Sequence, residues 1–172
     1  MKRSILWFFH FLPSALLGRL GNGFGLILML LGNERRKVVT TNINLCFPDK
    51  NSTWQANLRR KHYAALGRAM LDTTILWWSG PSRIKKMVNI DGWENFQRAN
   101  EKAPVIVLAP HFVGAEILGI RISMEQNAIS IYSKQKNAYI NNFLKTKRER
   151  FSSSILISRQ KGIKPAIKYL AK

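Results

Sequence analysis

The chain has 172 residues, of which 28 are Lys or Arg and nine are Asp or Glu, so its formal net charge at pH 7 is +19. This length suits one domain with a buried core, and so large a positive charge favours an anionic partner: a phosphate-bearing membrane, an acidic protein or nucleic acid. The single cysteine, Cys46, excludes an intramolecular disulfide and argues against a cysteine-based metal site. We find no metal-ligand set and no nucleotide-binding loop, and expect neither a metal nor a cofactor.

The chain begins with an apolar stretch over residues 4–31, whose one formal charge is Arg19. It is long enough to cross a bilayer once, but Arg19 near its middle would be costly there. We therefore predict an interfacial membrane anchor over residues 1–32, with Lys2, Arg3 and Arg19 at lipid phosphates. A cleaved signal peptide is the alternative, although no clear small-x-small cleavage site precedes a polar segment.

Helices and then alternating strands and helices follow the anchor. A helix over residues 38–49 is expected to stop at Pro48, and a capping-box pattern at Ser52 and Gln55 opens a long helix over 53–78. We predict strands at 88–90, 105–108, 129–132 and 155–157, and helices at 93–99, 114–124, 138–151 and 163–171. This alternation predicts an α/β fold with a mostly parallel sheet flanked by helices. Because the last helix has no closing strand, we expect a fold that is incomplete at the C-terminus.

One turn of this pattern places a histidine before a helix. Pro110 follows the apolar run 105–108 and Gly114 opens the next helix, so His111 lies in a strand-to-helix turn. Residues five apart in one helix point about 140° away from each other, so His111 meets Glu116 only if it folds back before the helix. A carboxylate on one imidazole nitrogen leaves the other basic enough to take a hydroxyl proton. Two interpretations stay open: a catalytic pair, or a core histidine with Glu116 favoured by the helix dipole.

Positive charge is concentrated at the end of the chain. Residues 134–172 contain eleven Lys or Arg and one acidic residue, Glu149. A solvated helix surface is the ordinary interpretation, but one-sided charge over 39 residues exceeds what solubility needs, so we predict an anion site. We expect no nucleic-acid partner, because there is no zinc-finger spacing and no aromatic RNA-binding signature.

Two motifs resemble a known family. The segment Pro110-His111-Phe112-Val113-Gly114-Ala115-Glu116, together with Asn42-Ile43-Asn44-Leu45-Cys46-Phe47-Pro48, resembles the bacterial lipid A biosynthesis acyltransferases. These lauroyl and myristoyl transferases lie within the glycerolipid and lysophospholipid acyltransferase superfamily, which shares a His followed five positions later by Asp or Glu. The resemblance continues through Trp77-Trp78, Arg148-Glu149-Arg150-Phe151 and Arg159.

The resemblance implies a membrane-bound enzyme on the cytoplasmic face of a Gram-negative inner membrane. It would transfer a fatty acyl group from acyl carrier protein to a hydroxyl of a phosphorylated glycolipid, the lipid A precursor. Members of the family are roughly twice as long, so residues 33–172 are expected to be the N-terminal part of an acyltransferase domain. Both proposed partners, the carrier protein and the acceptor, are anionic, in agreement with the net charge.

The resemblance also suggests roles for single residues. We predict that His111 and Glu116 are catalytic, with neutral His111 taking the proton of the acceptor hydroxyl and Glu116 orienting the imidazole. Arg148, Arg150 and Arg159 are the predicted substrate-binding residues, because a guanidinium binds phosphate through two parallel hydrogen bonds; simple surface solvation is their alternative. Two further functions stay open: acylation of another glycolipid or a lysophospholipid, and a membrane-associated binding protein without catalysis, which includes an inactive, catalytically incomplete remnant of an acyltransferase.

Overall fold

The structure of the chain is a computed structural model that describes residues 2–110, 112–152 and 154–170. Contacts between Cα atoms divide the chain into two compact units, Met1–Ser79 and Gly80–Lys172. The elements in chain order are α1 (Lys2–Phe9), α2 (Ser14–Leu31), α3 (Asn33–Cys46), α4 (Ser52–Trp78), α5 (Pro81–Met87), α6 (Trp93–Asn100), α7 (Ala115–Ser123), β1 (Ile129–Tyr132), α8 (Ala138–Arg148), β2 (Ile155–Ser158), a 3-10 turn (Arg159–Lys161) and α9 (Lys164–Leu170). The predicted division into residues 1–32 and 33–172 stays a prediction.

The first unit is built on direct backbone contact between α2 and α4. A Cβ atom added to Gly21 would lie 2.6 Å from the Cα of Arg68, and one added to Gly25 would overlap the carbonyl oxygen of Tyr63. A Cβ on Gly67 would overlap the backbone of Gly21. Small residues allow two helices to approach this closely, so the glycines set the distance between α2 and α4.

The opposite face of α2 is apolar and exposed. Its exposed residues recur at intervals of three and four, which places them on one side of a helix. Its large apolar members are Leu16, Leu20, Phe24, Ile27, Leu30 and Leu31. By length and apolar composition α2 is the one helix among the described residues that could cross a membrane. A buried core helix or a signal sequence meets the same criteria, so the anchor stays an expectation at this point.

The helical hairpin of α3 and α4 confirms the two predicted helices and corrects their ends. α3 begins earlier than expected, at Asn33, and ends at Cys46, two residues before Pro48. α4 is capped by Asn51 and not by Ser52, because the Asn51 side chain accepts a 2.8 Å hydrogen bond from the backbone N–H of Trp54. Gln55, which the capping-box prediction assigned to the helix end, instead donates to the Phe47 carbonyl.

The second unit contains two of the four predicted strands. β1 and β2 pair in parallel, with Ile129 opposite Ile155, and α8 connects them as a βαβ unit. The strands predicted at 88–90 and 105–108 are wrong, since both segments have no regular secondary structure. In the second of these segments Ile106 is 80% and Leu108 94% exposed. A β-strand needs a neighbour for its backbone hydrogen bonds, and apolar composition alone does not provide one.

The helices predicted at 93–99, 114–124, 138–151 and 163–171 are all present, each ending within a few residues of its expected limits (the predicted end at residue 171 lies outside the described residues). The described fold is therefore mostly helical with a small parallel sheet. This agrees with the predicted α/β class in its broad character and corrects the size of the sheet.

The backbone contact between α2 and α4 generates a prediction for glycine substitutions. Gly25→Ala should lower the free energy of unfolding by about 1–3 kcal/mol, because the new methyl group displaces the Tyr63 carbonyl. Gly23→Ala is the matched control: its Cβ meets nothing within 4 Å. It should leave stability unchanged or raise it by up to about 1 kcal/mol through helix propensity. Denaturant unfolding of both variants in the same detergent measures the difference, and equal stabilities would contradict the described packing.

Candidate active site

The helix that carries Glu116 is fixed by a buried arginine. Arg121 of α7 is only 9% exposed. Its Nε donates to the Val88 carbonyl at 3.1 Å, and its Nη1 donates to Glu125 at 2.6 Å. Lys85 of α5 lies 2.9 Å from the same Glu125 oxygen. The hydrogen bonds from Lys85 and Arg121 hold the pKa of Glu125 below its usual value, so this carboxylate is charged and ties α5 to α7.

Glu116 forms a bidentate ion pair with Arg148. The Nε of Arg148 lies 2.8 Å from Oε1 of Glu116, and Nη2 lies 2.7 Å from Oε2. Both side chains are about 30% exposed, so the pair is partly screened by solvent. Glu116 lies in the first turn of α7 and Arg148 is the last residue of α8, positions where the helix dipoles favour these charges. The pair therefore joins the N-terminus of one helix to the C-terminus of another.

The ion pair with Glu116 favours the charged form of Arg148. Its hydrogen bonds to Glu116 raise the pKa of the Arg148 guanidinium above its usual value, and this effect outweighs the opposing effect of burial. Each carboxylate oxygen has two lone pairs, so Glu116 can still accept a further hydrogen bond while it is bound to Arg148. The arrangement is suited to orienting a third group, such as an imidazole, against a fixed carboxylate.

The ion pair lies at the wall of a cavity of about 360 Å³ between α7 and the sheet. This volume is within the range of small-molecule sites. Ser130 and Leu156 are paired across the two strands, so they share one face of the sheet, and both line the cavity. The described lining residues are Ala115, Glu116, Gly119, Ile120, Ser123, Ala128, Ser130, Ile131, Tyr132, Ser133, Gln135, Arg148, Ser154 and Leu156. Its mixture of apolar groups and one ion pair could hold an apolar chain with a polar end.

The other predicted site residues lie apart from this pair or outside the description. His111 lies outside the described residues, so its predicted contact with Glu116 stays a prediction. The guanidinium of Arg150 lies 4.3 Å from the centre of the Phe151 ring, and burial lowers the pKa of Arg150. Arg159 is exposed in the 3-10 turn after β2. Neither Arg150 nor Arg159 is among the described residues that line the cavity, and their role in phosphate binding stays a prediction.

Sequence reasoning missed two features of the site. It assigned Arg148 to phosphate binding and did not pair it with Glu116. The sequence did show a carboxylate, Glu116, in the first turn of one predicted helix and an arginine, Arg148, in the last turn of another. It also missed Ser130 and Tyr132, whose alternation with Ile129 and Ile131 is the period-two pattern of a strand with one polar face. Among the described residues no group of three or more His, Cys, Asp or Glu side chains could hold a metal ion.

Comparison with known proteins decides the family. The sequence model of the bacterial lipid A biosynthesis acyltransferases matches residues 3–172, nearly the whole chain. The chain belongs to this family. The resemblance found from the motifs around His111 and Pro48 is thereby confirmed.

Named relatives in the lipid A acyltransferase family come from Escherichia coli K12. The chain is 26% identical to the lipid A biosynthesis lauroyltransferase over 170 residues, which is 98% of this chain and 55% of the relative. It is 30% identical to the lipid A biosynthesis myristoyltransferase over 156 residues, 88% of this chain and 46% of the relative. The chain thus spans about half the length of the curated relatives it matches. No solved structure matches it significantly.

The ion pairs of Glu125 predict a pH dependence of stability. Because the folded pKa of Glu125 is lowered, its contribution is present above the unfolded value near 4.5 and is lost as the pH falls through the lower folded value. The stability difference between the wild type and Glu125→Gln should therefore shrink from pH 7 to pH 3. Denaturant unfolding at several pH values measures it, and a constant difference would contradict the assignment.

The Glu116–Arg148 pair predicts a measurable coupling energy. A double-mutant cycle with Glu116→Gln and Arg148→Met should give about 1–2 kcal/mol of coupling in unfolding experiments, since the pair is bidentate and partly buried. The control cycle uses Lys145 and Glu149, a more exposed pair on one helix at 3.7 Å. It should give about 0.5 kcal/mol or less. Equal couplings in the two cycles would argue against a special role for the first pair.

Proposed function

We propose that the protein is an acyltransferase of lipid A biosynthesis. It transfers a fatty acyl group from the thioester of acyl carrier protein to a hydroxyl of a phosphorylated glycolipid, the lipid A precursor. The observation that carries this proposal is the position of Glu116, the acidic member of the His-Glu motif, which Arg148 holds at the wall of a cavity in a chain of this family.

The proposed chemistry is a direct attack without an acyl-enzyme. Neutral His111 takes the proton of the acceptor hydroxyl, and the oxygen attacks the thioester carbonyl. The new C–O bond forms, the C–S bond breaks, and the imidazolium returns its proton to the departing thiolate. Glu116 orients the imidazole and stabilises its charge, while Arg148 is a positioning residue that holds Glu116. No metal or cofactor takes part in these steps.

The substrates account for the charge of the chain. Acyl carrier protein is acidic and the acceptor carries phosphates, so both are attracted to a chain with a net charge of +19. Arg150 and Arg159, which lie close in sequence to the cavity-lining residues Arg148 and Leu156, are the proposed contacts to the phosphates of the acceptor. Arg148 can add to this contact only through Nη1, because its other two nitrogens bind Glu116.

The proposed location is the cytoplasmic face of the inner membrane of a Gram-negative cell. The support is the apolar helix α2, whose exposed stripe faces away from α4, and the charge of Arg19, which is exposed on the same helix. An arginine can extend its guanidinium toward phosphates while its methylenes stay in the apolar layer. An anchor of this kind keeps the chain at the membrane, and the proposed acceptor is itself a membrane lipid.

The decisive experiment is acylation of lipid A in cells. The gene, extended to its natural stop codon, is expressed in a host without its own secondary acyltransferases. The molecular mass of the lipid A is then measured by mass spectrometry. We expect one added acyl group. His111→Ala should reduce the rate of transfer about 100- to 10,000-fold, the usual value of general-base assistance, so the added mass should vanish.

The matched control is His62→Ala, which removes an exposed histidine of α4 and should leave the added mass unchanged. Equal amounts of membrane-bound protein must be verified for each variant. Full activity of His111→Ala would refute the general-base mechanism. No added mass from a well-expressed wild type would refute lipid A as the acceptor and favour another glycolipid, a lysophospholipid or a binding role.

A further inference from the structure

We propose that a groove bounded by α2, α3 and α4 binds the phosphate of an anionic membrane phospholipid. The groove has a volume of about 490 Å³ and lies in the first compact unit, Met1–Ser79. Its described lining residues are Met29 from α2, Arg36, Lys37, Thr40 and Thr41 from α3, and Arg59 from α4. The inference goes beyond acyl transfer and rests only on the proposed membrane association.

The lining of the groove is positively charged. Three of the six described lining residues are cationic and none is acidic, so the lining carries three positive charges without a carboxylate to balance them. Two of the three are arginines, whose planar guanidinium matches the geometry of a phosphate. An anion is therefore the ligand class that the lining favours.

The hydrogen bonding of Arg59 also favours an anion. Its Nη1 donates to the Thr40 hydroxyl at 3.2 Å, and that hydroxyl donates to the Arg36 carbonyl at 2.8 Å, so the guanidinium is held in one place. Its Nε is buried and has no hydrogen-bond partner among the described residues. Burying part of a charged group without an acceptor is unfavourable, and an anion bound beside the guanidinium would offset this cost through its charge.

The apolar surroundings of the groove favour a lipid over a soluble anion. Met29 gives the groove an apolar wall on the side of α2, and the next two residues along that helix, Leu30 and Leu31, are exposed. α3 begins at Asn33, so its cations follow the apolar helix within two turns. A phospholipid presents a phosphate directly beside acyl chains, and clusters of Lys and Arg at the end of a membrane-embedded helix commonly bind such headgroups.

The test measures binding of the full chain to vesicles of phosphatidylcholine with and without phosphatidylglycerol. Arg59→Gln should reduce the affinity for the vesicles that contain phosphatidylglycerol about tenfold or more, through loss of a charge-assisted contact. Lys61→Gln is the matched control, because Lys61 is exposed and lies about 200° from Arg59 around α4. Lys61→Gln should reduce the affinity for the same vesicles about fivefold or less, which is the contribution of one exposed charge near an anionic membrane surface. In pure phosphatidylcholine the variants should bind equally.

Equal losses for Arg59→Gln and Lys61→Gln would overturn the site and leave only general attraction. Circular dichroism checks folding. If Arg59→Gln does not fold, Lys37→Gln decides, because Lys37 is exposed and has no hydrogen bond or ion pair among those described. It must lose more affinity than Lys61→Gln, and an equal loss overturns the site.

Glycerol 3-phosphate should bind far more weakly than a short-chain phosphatidylglycerol. Equal binding of the two ligands would assign the groove to soluble phosphates and overturn the proposal of a lipid ligand. The assay contains neither acyl donor nor acceptor, so its result is independent of acyl transfer.

Discussion

The contact between Glu116 and Arg148 is the interaction on which the candidate site depends. It connects residues 32 positions apart, at the start of α7 and the end of α8, and it forms part of the cavity wall. A carboxylate without this partner would be free to change its rotamer, and it could not hold an imidazole in one orientation. At the other end of α7, the hydrogen bond from Arg121 to the Val88 carbonyl and the ion pair of Lys85 with Glu125 complete the restraint, because they tie the helix that carries Glu116 to the preceding segment and to α5.

The first unit follows a different rule, in which small residues matter more than large ones. α2 approaches α4 through Gly21, Gly25 and Gly67, so the contact is made by backbone atoms. Larger side chains such as Leu17, Ile75 and Leu76 fill the space beside this contact and are fully buried. α3 then packs against α4 with a cationic groove between them. The unit thus combines a tight helix pair with an apolar outer face and a basic border.

Much of this organisation could be predicted from local patterns. Helix positions followed from apolar periodicity and from breakers such as Pro48, and the strand at Ile129–Tyr132 was predicted as one member of the strand–helix alternation along the chain. The strand predicted at 105–108 failed because hydrogen bonds from a neighbouring strand, and not apolar composition, decide whether a strand forms. The Glu116–Arg148 pair was missed for a related reason, since a contact over 32 residues depends on how α7 and α8 are placed by the βαβ unit. His111 itself lies outside the described residues, so its contact with Glu116 stays a prediction.

The glycine contact has a consequence for how such a protein can change over generations. Since α2 holds α4 with its backbone, the apolar residues on its outer face take no part in that packing. With α2 as the proposed membrane anchor, their size and composition can vary to suit bilayers of different thickness or lipid content while the helix pair stays intact. Adhesion to the membrane and folding of the first unit are then separable traits, encoded on two faces of a single helix.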